Sequence, residues 1–241
     1  MSVVLYHSWF STCSQKVRLA LSEKHLAYES VVIDLTRQEH LTAEYLAINP
    51  NGVVPSLKHD HRVVIDSSVI CEYLDEVFPG YALSPPDAYG RAQMRTWMRY
   101  FEEVPTTAIR APSFSKLFSQ HFTAMKEDEF SRLAEKMPIR KHFYQQMGRS
   151  GFTEQQVTES LEKLRSCLER VNNALADGRD YLLGDVLSIA DIVLLPSGVR
   201  LIDLQYHDLW KDLPAFDRWL ARAQKRPSFA QAYPQCSRFQ L

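Results

Sequence analysis

The sequence predicts an α+β chain in which every strand lies early and every later element is a helix. Three observations carry this. Within residues 1–80, short β-branched runs alternate with amphipathic stretches. Ser84, Pro85, Pro86 and Asp87 read as an extended connection. Beyond it no convincing strand recurs, while Val157, Leu161, Leu164, Leu168, Val171 and Leu175 keep the three- and four-residue spacing of one helix face. The expected division is a first domain over 1–80, a linker over 81–88 and an all-α helical bundle over 89–241.

The elements follow in order. Val3, Val4, Leu5 and Tyr6 suit a buried first strand, and residues 7–13 form a polar and aromatic loop. From Ser14 onward Val17, Leu19, Ala20 and Leu21 interleave with Gln15, Lys16, Arg18, Glu23 and Lys24, the pattern of an amphipathic helix that Ser14 would cap. Residues 28–33 alternate as a second strand. A strand, a helix and a strand joined this closely require a right-handed crossover and a parallel pair. A second helix is expected around residues 41–48.

Residues 49–74, NPNGVVPSLKHDHRVVIDSSVICEYL, organise the rest. Pro50 and Gly52 reverse the chain before the run 53–57, which reads as a short strand. Pro55 has no N–H to give a ladder, so either its sheet edge is bare or the Val54–Pro55 bond is cis. His59, Asp60 and His61 read as a turn, and Arg62, Val63, Val64 and Ile65 as the returning strand. Asp66, Ser67 and Ser68 then precede a helix marked by Val69, Ile70, Tyr73, Leu74 and Val77. The free N–H groups of a helix start attract anions, so the bare edge and this start are expected to face one ligand. The resulting order, βαβαββα, is that of a thioredoxin-like domain.

In the later region Ala92, Trp97, Met98 and Phe101 mark a helix over 89–102, after which Pro105, Pro112 and Pro138 break the chain into shorter pieces. A long helix over 155–176 is stopped near Gly178. Ser188 and Asp191 have the spacing of a capping box, with Leu187 and Ile192 placed as a hydrophobic staple. The helix they open is apolar all round and is expected at the domain centre, with Pro196 kinking it or ending its first segment. It is a folding element without a catalytic role.

Of 241 residues, 45% are hydrophobic and 24% charged, and the net charge is −1. Nothing here calls for nucleic acid or an acidic membrane surface. No run approaches the roughly 18 apolar residues of a membrane span, so a cytosolic location without membrane attachment is expected. Cys13, Cys71, Cys167 and Cys236 are scattered, which argues against a zinc site or a disulfide frame.

The string N-P-x-G-x-V-P-x-L followed by an acidic-Ser pair resembles the glutathione-binding half of the glutathione transferase superfamily. Residues 182–191, Leu-x-Gly-Asp-x-x-Ser-Ile-Ala-Asp, and residues 214–227 resemble its second domain. The resemblance implies that Val54 and Pro55 clamp the cysteinyl backbone of glutathione, that Asp66 and Ser67 hold its γ-glutamyl end, and that His40 meets its glycine carboxylate. Glutathione enters as co-substrate and no metal is implied. The thiol must ionise near neutrality, against an unperturbed pKa of roughly 8.5, and two units correspond to about 2.7 kcal/mol. A charge-assisted hydrogen bond supplies roughly 1.5–3 kcal/mol and a helix start roughly 0.3–1 more, so one hydroxyl at a helix start suffices. Ser11, Thr12, Cys13 and Ser14 are the candidates. Several classes keep a catalytic serine where Ser11 stands, and some bacterial members keep a Cys-Ser pair resembling Cys13 and Ser14.

Residues 5–7 with 14–19 resemble the ganglioside-induced differentiation-associated group, whereas 69–79 and 137–152 are more similar to bacterial glutathione-dependent β-aryl etherases, which displace an aryloxide from a lignin-type ether. The resemblance places the electrophile against the helical domain, with Tyr100, Arg110 and Phe114 as candidates beside Trp97, Phe101, Phe143 and Tyr144. It also implies a twofold homodimer. The alternatives are a non-catalytic scaffold of the same fold and a disulfide reductase using Cys13. His121, His142 and His207 are expected to be surface or structural residues.

Overall fold

The computed structural model describes residues 2–239. Its sheet comprises β1 (Val3–His7), β2 (Glu29–Val32), β3 (Ser56–His59) and β4 (Arg62–Ile65) in the order β2-β1-β3-β4. β1 and β2 run parallel across the crossover helix α1 (Thr12–Glu23), while β3 lies antiparallel to β1 and to β4. α2 (Ala43–Ile48) and α3 (Ser67–Val77) complete βαβαββα. The register fixes the working end of the sheet. Tyr6 faces Ser56, Ser56 faces Ile65, and His7 faces Val32. The loop after β1, the loop after β2, the turn before β3 and the start of α3 therefore all emerge at one end.

Two details of the hairpin differ from the sequence pattern. β3 begins at Ser56 rather than Val53, because Pro55 offers no N–H and the Val53 carbonyl is taken by Tyr45 Oη at 2.7 Å and Asn49 Nδ2 at 2.8 Å. His59, expected in the turn, is the last residue of β3, and the reversal falls on Asp60 at φ 52°. The Val54–Pro55 peptide is cis.

The helical part starts with α4 (Ala88–Glu103) and continues through α5 (Pro105–Ala108), α6 (Arg110–Ser113), a π-helical turn over Phe114–Phe118 and α7 (Ser119–Thr123). α8 (Glu127–Lys136), α9 (Lys141–Met147), α10 (Glu154–Ala174), α11 (Ile189–Asp203), α12 (Pro214–Gln224) and α13 (Pro227–Ala232) follow. Pro196 does not end α11, which is continuous and buried over nearly its whole length. Asp191 anchors its start, accepting from Ser188 N–H (3.0 Å), Ser188 Oγ (2.7 Å), Leu182 N–H (3.0 Å) and Trp219 Nε1 (2.8 Å). Its burial is compensated by four donors, although desolvation still raises its pKa.

α1 joins the two parts, packing against α3 on one side and α11 and α13 on the other. Its charged residues are buried in that contact. Lys16 pairs with Glu102 at 2.7 Å, Lys24 with Asp75 at 3.0 Å, and Glu23 with Arg226 at 2.6 Å. A separate aromatic cluster lies in the 114–152 region, where Phe122, Phe130, Leu133, Met137 and Met147 pack against Phe114, Phe118, Phe143 and Tyr144. Among the described residues, no helix is long and apolar enough to cross a membrane.

Candidate active site

α1 starts earlier than the charge pattern suggests, and this reassigns the serines. Ser11 is the N-cap, its Oγ accepting from Ser14 N–H at 3.2 Å. Ser14 lies inside the first turn, fully buried, with its Oγ accepting from Ser8 N–H at 3.3 Å. It is therefore not the cap. Ser11, Thr12 and Cys13 line a cavity at the working end of the sheet, and Ser14 does not.

The loop ahead of Ser11 is held by two buried arginines that no sequence pattern singles out. Arg18, 1% exposed, donates to the carbonyls of Ser8 (3.3 Å), Trp9 (3.1 Å) and Ala232 (2.9 Å) and lies over the Trp9 ring. Arg200 of α11 donates to the Phe10 carbonyl and to Ser113 Oγ. Three consecutive carbonyls are thus fixed by guanidinium groups, one of them from the distant α11. Burial pulls both arginines down to about 10, where they remain cationic at neutral pH. His7 completes the arrangement: burial and then the Arg18 charge lower it to about 4, so it is neutral. The Arg18 guanidinium lies 3.2 Å from its Nδ1, which assigns the ring proton to Nε2, 2.7 Å from Ser30 Oγ.

The turn before β3 supplies backbone. Val53 and Val54 line the cavity, and no hydrogen bond within the described residues engages the Val54 N–H or carbonyl, although Val54 is 8% exposed. Such groups are costly to bury without a partner, so they suit a ligand that pairs with them. Pro55 follows directly, outside the ladder. Gly52, at φ +58°, packs so tightly on the helical part that a Cβ would lie 2.9 Å from Pro138 Cδ. His40 sits in the short turn before α2, buried and lining the cavity, with no partner for its Nδ1. Desolvation lowers it to about 4, leaving a neutral ring able to donate one N–H.

Asp66 and Ser67 lie at the same sheet end but not on the cavity wall. Asp66 caps α3, accepting from Ser68 N–H (3.0 Å), Val69 N–H (3.2 Å) and Ser68 Oγ (2.9 Å). Its backbone stands at φ 73° and ψ 127°, a sparsely populated conformation for a residue with a Cβ, of the sort that clusters at ligand sites. Ser67, the first residue of α3, is buried.

The opposite wall of this roughly 200 Å³ cavity comes from the helical part. Arg110 and Phe114 line it, as do Phe143 and Tyr144, with Phe143 edge-on to Phe114 at 5.0 Å. Tyr100 does not: its ring lies 4.1 Å from the Arg170 guanidinium and beside Trp97 and Phe101, in the core between α4 and α10. His121, expected to be a surface or structural residue, is exposed and also lines the cavity. Arg140 and Phe118 are also there, and neither carried a sequence signal.

A thioredoxin-like sheet with a hydroxyl and thiol at the start of its first helix, unpaired backbone beside a cis proline, and an aromatic cavity closed by a helical domain define a thiol-transfer architecture. Sequence comparison specifies it. Residues 5–82 match the glutathione S-transferase N-terminal domain, and residues 154–222 the glutathione S-transferase C-terminal domain. The chain is 30% identical over 249 residues to protein LigF of Sphingobium sp. (strain NBRC 103272 / SYK-6), covering 100% of this chain and 96% of LigF. The crystal structure of beta-etherase LigF superposes with a TM-score of 0.86 over 97% of this chain and 99% of that one. Glutathione S-transferase TCHQD of Arabidopsis thaliana is 27% identical, with 93% and 87% covered. A glutathione S-transferase-I bound to lactoylglutathione is 26% identical, with a TM-score of 0.76 over 97% of this chain and 99% of that one. The chain belongs to the glutathione S-transferase family, and its activity is glutathione-dependent transfer.

Proposed function

We propose that the enzyme attacks an electrophilic carbon of a small aromatic substrate with the thiolate of bound glutathione, and that the reaction is cleavage of a β-aryl ether. One observation carries this: the hydroxyl of Ser11, the thiol of Cys13 and the unpaired backbone of Val54 border the same cavity, whose far wall is aromatic. In this reading Val54 and Pro55 pair with the cysteinyl backbone, Asp66 and Ser67 receive the γ-glutamyl end, and His40 donates its free N–H to the glycine carboxylate. Ser11 holds the thiolate at the start of α1, where the hydroxyl and the helix dipole act together. The sulfur forms a bond to the ether carbon, the C–O bond breaks with its electron pair going to the aryloxide, and the aryloxide takes a proton from water. The 30% identity to LigF, extending over the whole chain, supports the ether as substrate. We further propose domain limits of 1–80 and 89–241 around an 81–88 linker, a homodimer, a cytosolic location, and no metal requirement.

The test is a thiolate absorbance titration of enzyme-bound glutathione combined with turnover. Ser11→Ala is expected to raise the pKa of the bound thiol and lower kcat by about 10- to 100-fold, the weight of one charge-assisted hydrogen bond. An unchanged titration removes Ser11 from this role. The position of Cys13 on the cavity wall favours a second reading, glutathione-dependent disulfide reduction. Hydroxyethyl disulfide activity that is lost in Cys13→Ser would establish it, whereas ether or aryl-halide turnover without it supports the transferase.

A further inference from the structure

Charge on the cavity wall is one-sided. Arg110, Arg140 and Arg200 line it, and among the described residues no Asp or Glu does. Arg200 is engaged by the Phe10 carbonyl and Ser113. The guanidinium groups of Arg110 and Arg140, by contrast, make no hydrogen bond or ion pair within the described residues. Each guanidinium presents five donors in a planar fork, and a half-buried one without acceptors is an unmet demand. Glu102, whose charge reaches Arg110, is already paired with Lys16 at 2.7 Å. Burial, and then repulsion between the two guanidiniums, pulls Arg110 down to about 10. Two cations held together among Phe114, Phe143 and Tyr144 are best satisfied by an anion carried on an aromatic body.

We propose that the electrophile carries a carboxylate on its aromatic skeleton and that Arg110 and Arg140 bind it. This rests on the transferase reading above. Arg110 lies within electrostatic reach of Cys13, at the start of α1, as well as of Arg140. This orients the substrate with its reacting carbon toward the start of α1 and its carboxylate toward Arg140. The second source of a carboxylate is glutathione itself, whose ends are accounted for in that reading by Asp66, Ser67 and His40.

Calorimetric binding of phenoxyacetate and its neutral isostere phenoxyacetamide, in the presence of S-methylglutathione, separates these sources. The acid is expected to bind about 10- to 100-fold more tightly than the amide, the weight of a charge-assisted pair. Arg110→Gln and Arg140→Gln should each reduce the preference by about tenfold or more, and Arg140→Lys should keep part of it because the charge remains. The ratio within one variant does not depend on the fraction that folds. Equal binding of acid and amide by the natural enzyme, or a preference intact in both Gln variants, overturns the proposal. So does a weakened affinity for S-methylglutathione in those variants with the preference unmoved, which would assign the arginines to glutathione. Turnover of 4-chloro-3-nitrobenzoate against its methyl ester gives the same comparison in kcat/KM. If neither is consumed while the acid preference persists in binding, the aryl-electrophile part of the proposed function fails and the anion site stands.

Discussion

The two walls of the cavity are built by different means. The sheet side is a surface of backbone, with the 8–10 loop, the Val53–Val54 segment and the start of α3 each held by side chains behind them. Arg18 and Arg200 fix the loop carbonyls, Tyr45 and Asn49 fix the Val53 carbonyl, and Asp66 fixes the turn into α3. The helical side is a surface of side chains, its rings packed on one another and its two arginines unpaired. Backbone presents the same groups whatever the residue, which suits a reactant that never changes. Side chains vary freely, which suits a reactant that differs between relatives.

If the sheet wall acts through fixed backbone, the largest loss should come from removing what fixes it. Arg18→Met leaves the carbonyls of Trp9 and Ala232 without their donor in a buried setting, while that of Ser8 keeps the Ser11 N–H at 3.2 Å. Each unsatisfied group costs roughly 1–3 kcal/mol, so a stability loss of about 2 kcal/mol or more is expected in denaturant unfolding, with kcat reduced more than the KM for the electrophile. A variant as stable and as active as the natural enzyme would show that the loop holds its shape unaided.

Titration sharpens the comparison, because the sheet side holds two buried neutral histidines, His40 on the wall and His7 behind it in β1. Each has a folded-state pKa of about 4, below the ordinary histidine value of 6.5. A depressed histidine contributes stability that is full above the unfolded value and is lost as pH falls from about 6.5 toward about 4, because the unfolded chain takes up the proton first. The loss is at most about 3 kcal/mol per residue, and His40→Asn should flatten that part of the stability profile. Glutathione should flatten it too if its carboxylate meets His40, since a nearby anion raises the depressed pKa. An identical slope with and without glutathione would separate His40 from the ligand.

The sheet wall was legible from sequence because its features are local. Pro55 in a strand-like run, Gly52 in a turn, and Asp66 at a helix start each limit their own backbone, and the residue pattern of 49–74 shows all three. The hairpin ends shifted by one to three residues only because contacts from Tyr45 and Asn49 decide where pairing begins. The charged residues of α1 were the harder case. An amphipathic pattern places Lys16, Arg18 and Lys24 toward water, yet all three are buried, because a second layer of helices brings Glu102, Asp75 and carbonyl acceptors to meet them. Apart from the Ser8 and Trp9 carbonyls that Arg18 reaches, these partners lie 51 to 214 residues away in the chain, where no local pattern announces them. For the same reason the helical wall was only half legible: Phe114 and Arg110 fell on it, Tyr100 did not, and His121 and Arg140 were found by the fold alone. The succession of short helices over 105–123 turns the chain repeatedly, so helical spacing loses its power to say which residues share a face.

Tyr100 gives the smallest expected effect and the cleanest control. It is of the same aromatic type as the cavity rings and belongs to the helix leading into that wall, but its face is covered by Arg170 and its edges by Trp97 and Phe101. Tyr100→Phe keeps the ring and its stacking and removes only the hydroxyl. The hydroxyl is hydrogen-bonded with Cys167 and Arg170, so stability should fall by about 1 kcal/mol, while kcat/KM for any electrophile should move by less than about twofold. Phe114→Ala, on the true wall, removes a ring that contacts Phe118, Phe122, Phe143 and Tyr144 and should act on the electrophile in the same assay. A change of electrophile preference in Tyr100→Phe that equals the change in Phe114→Ala would mean that the wall extends through α4, and the division between a core face and a substrate face in this region would have to be redrawn.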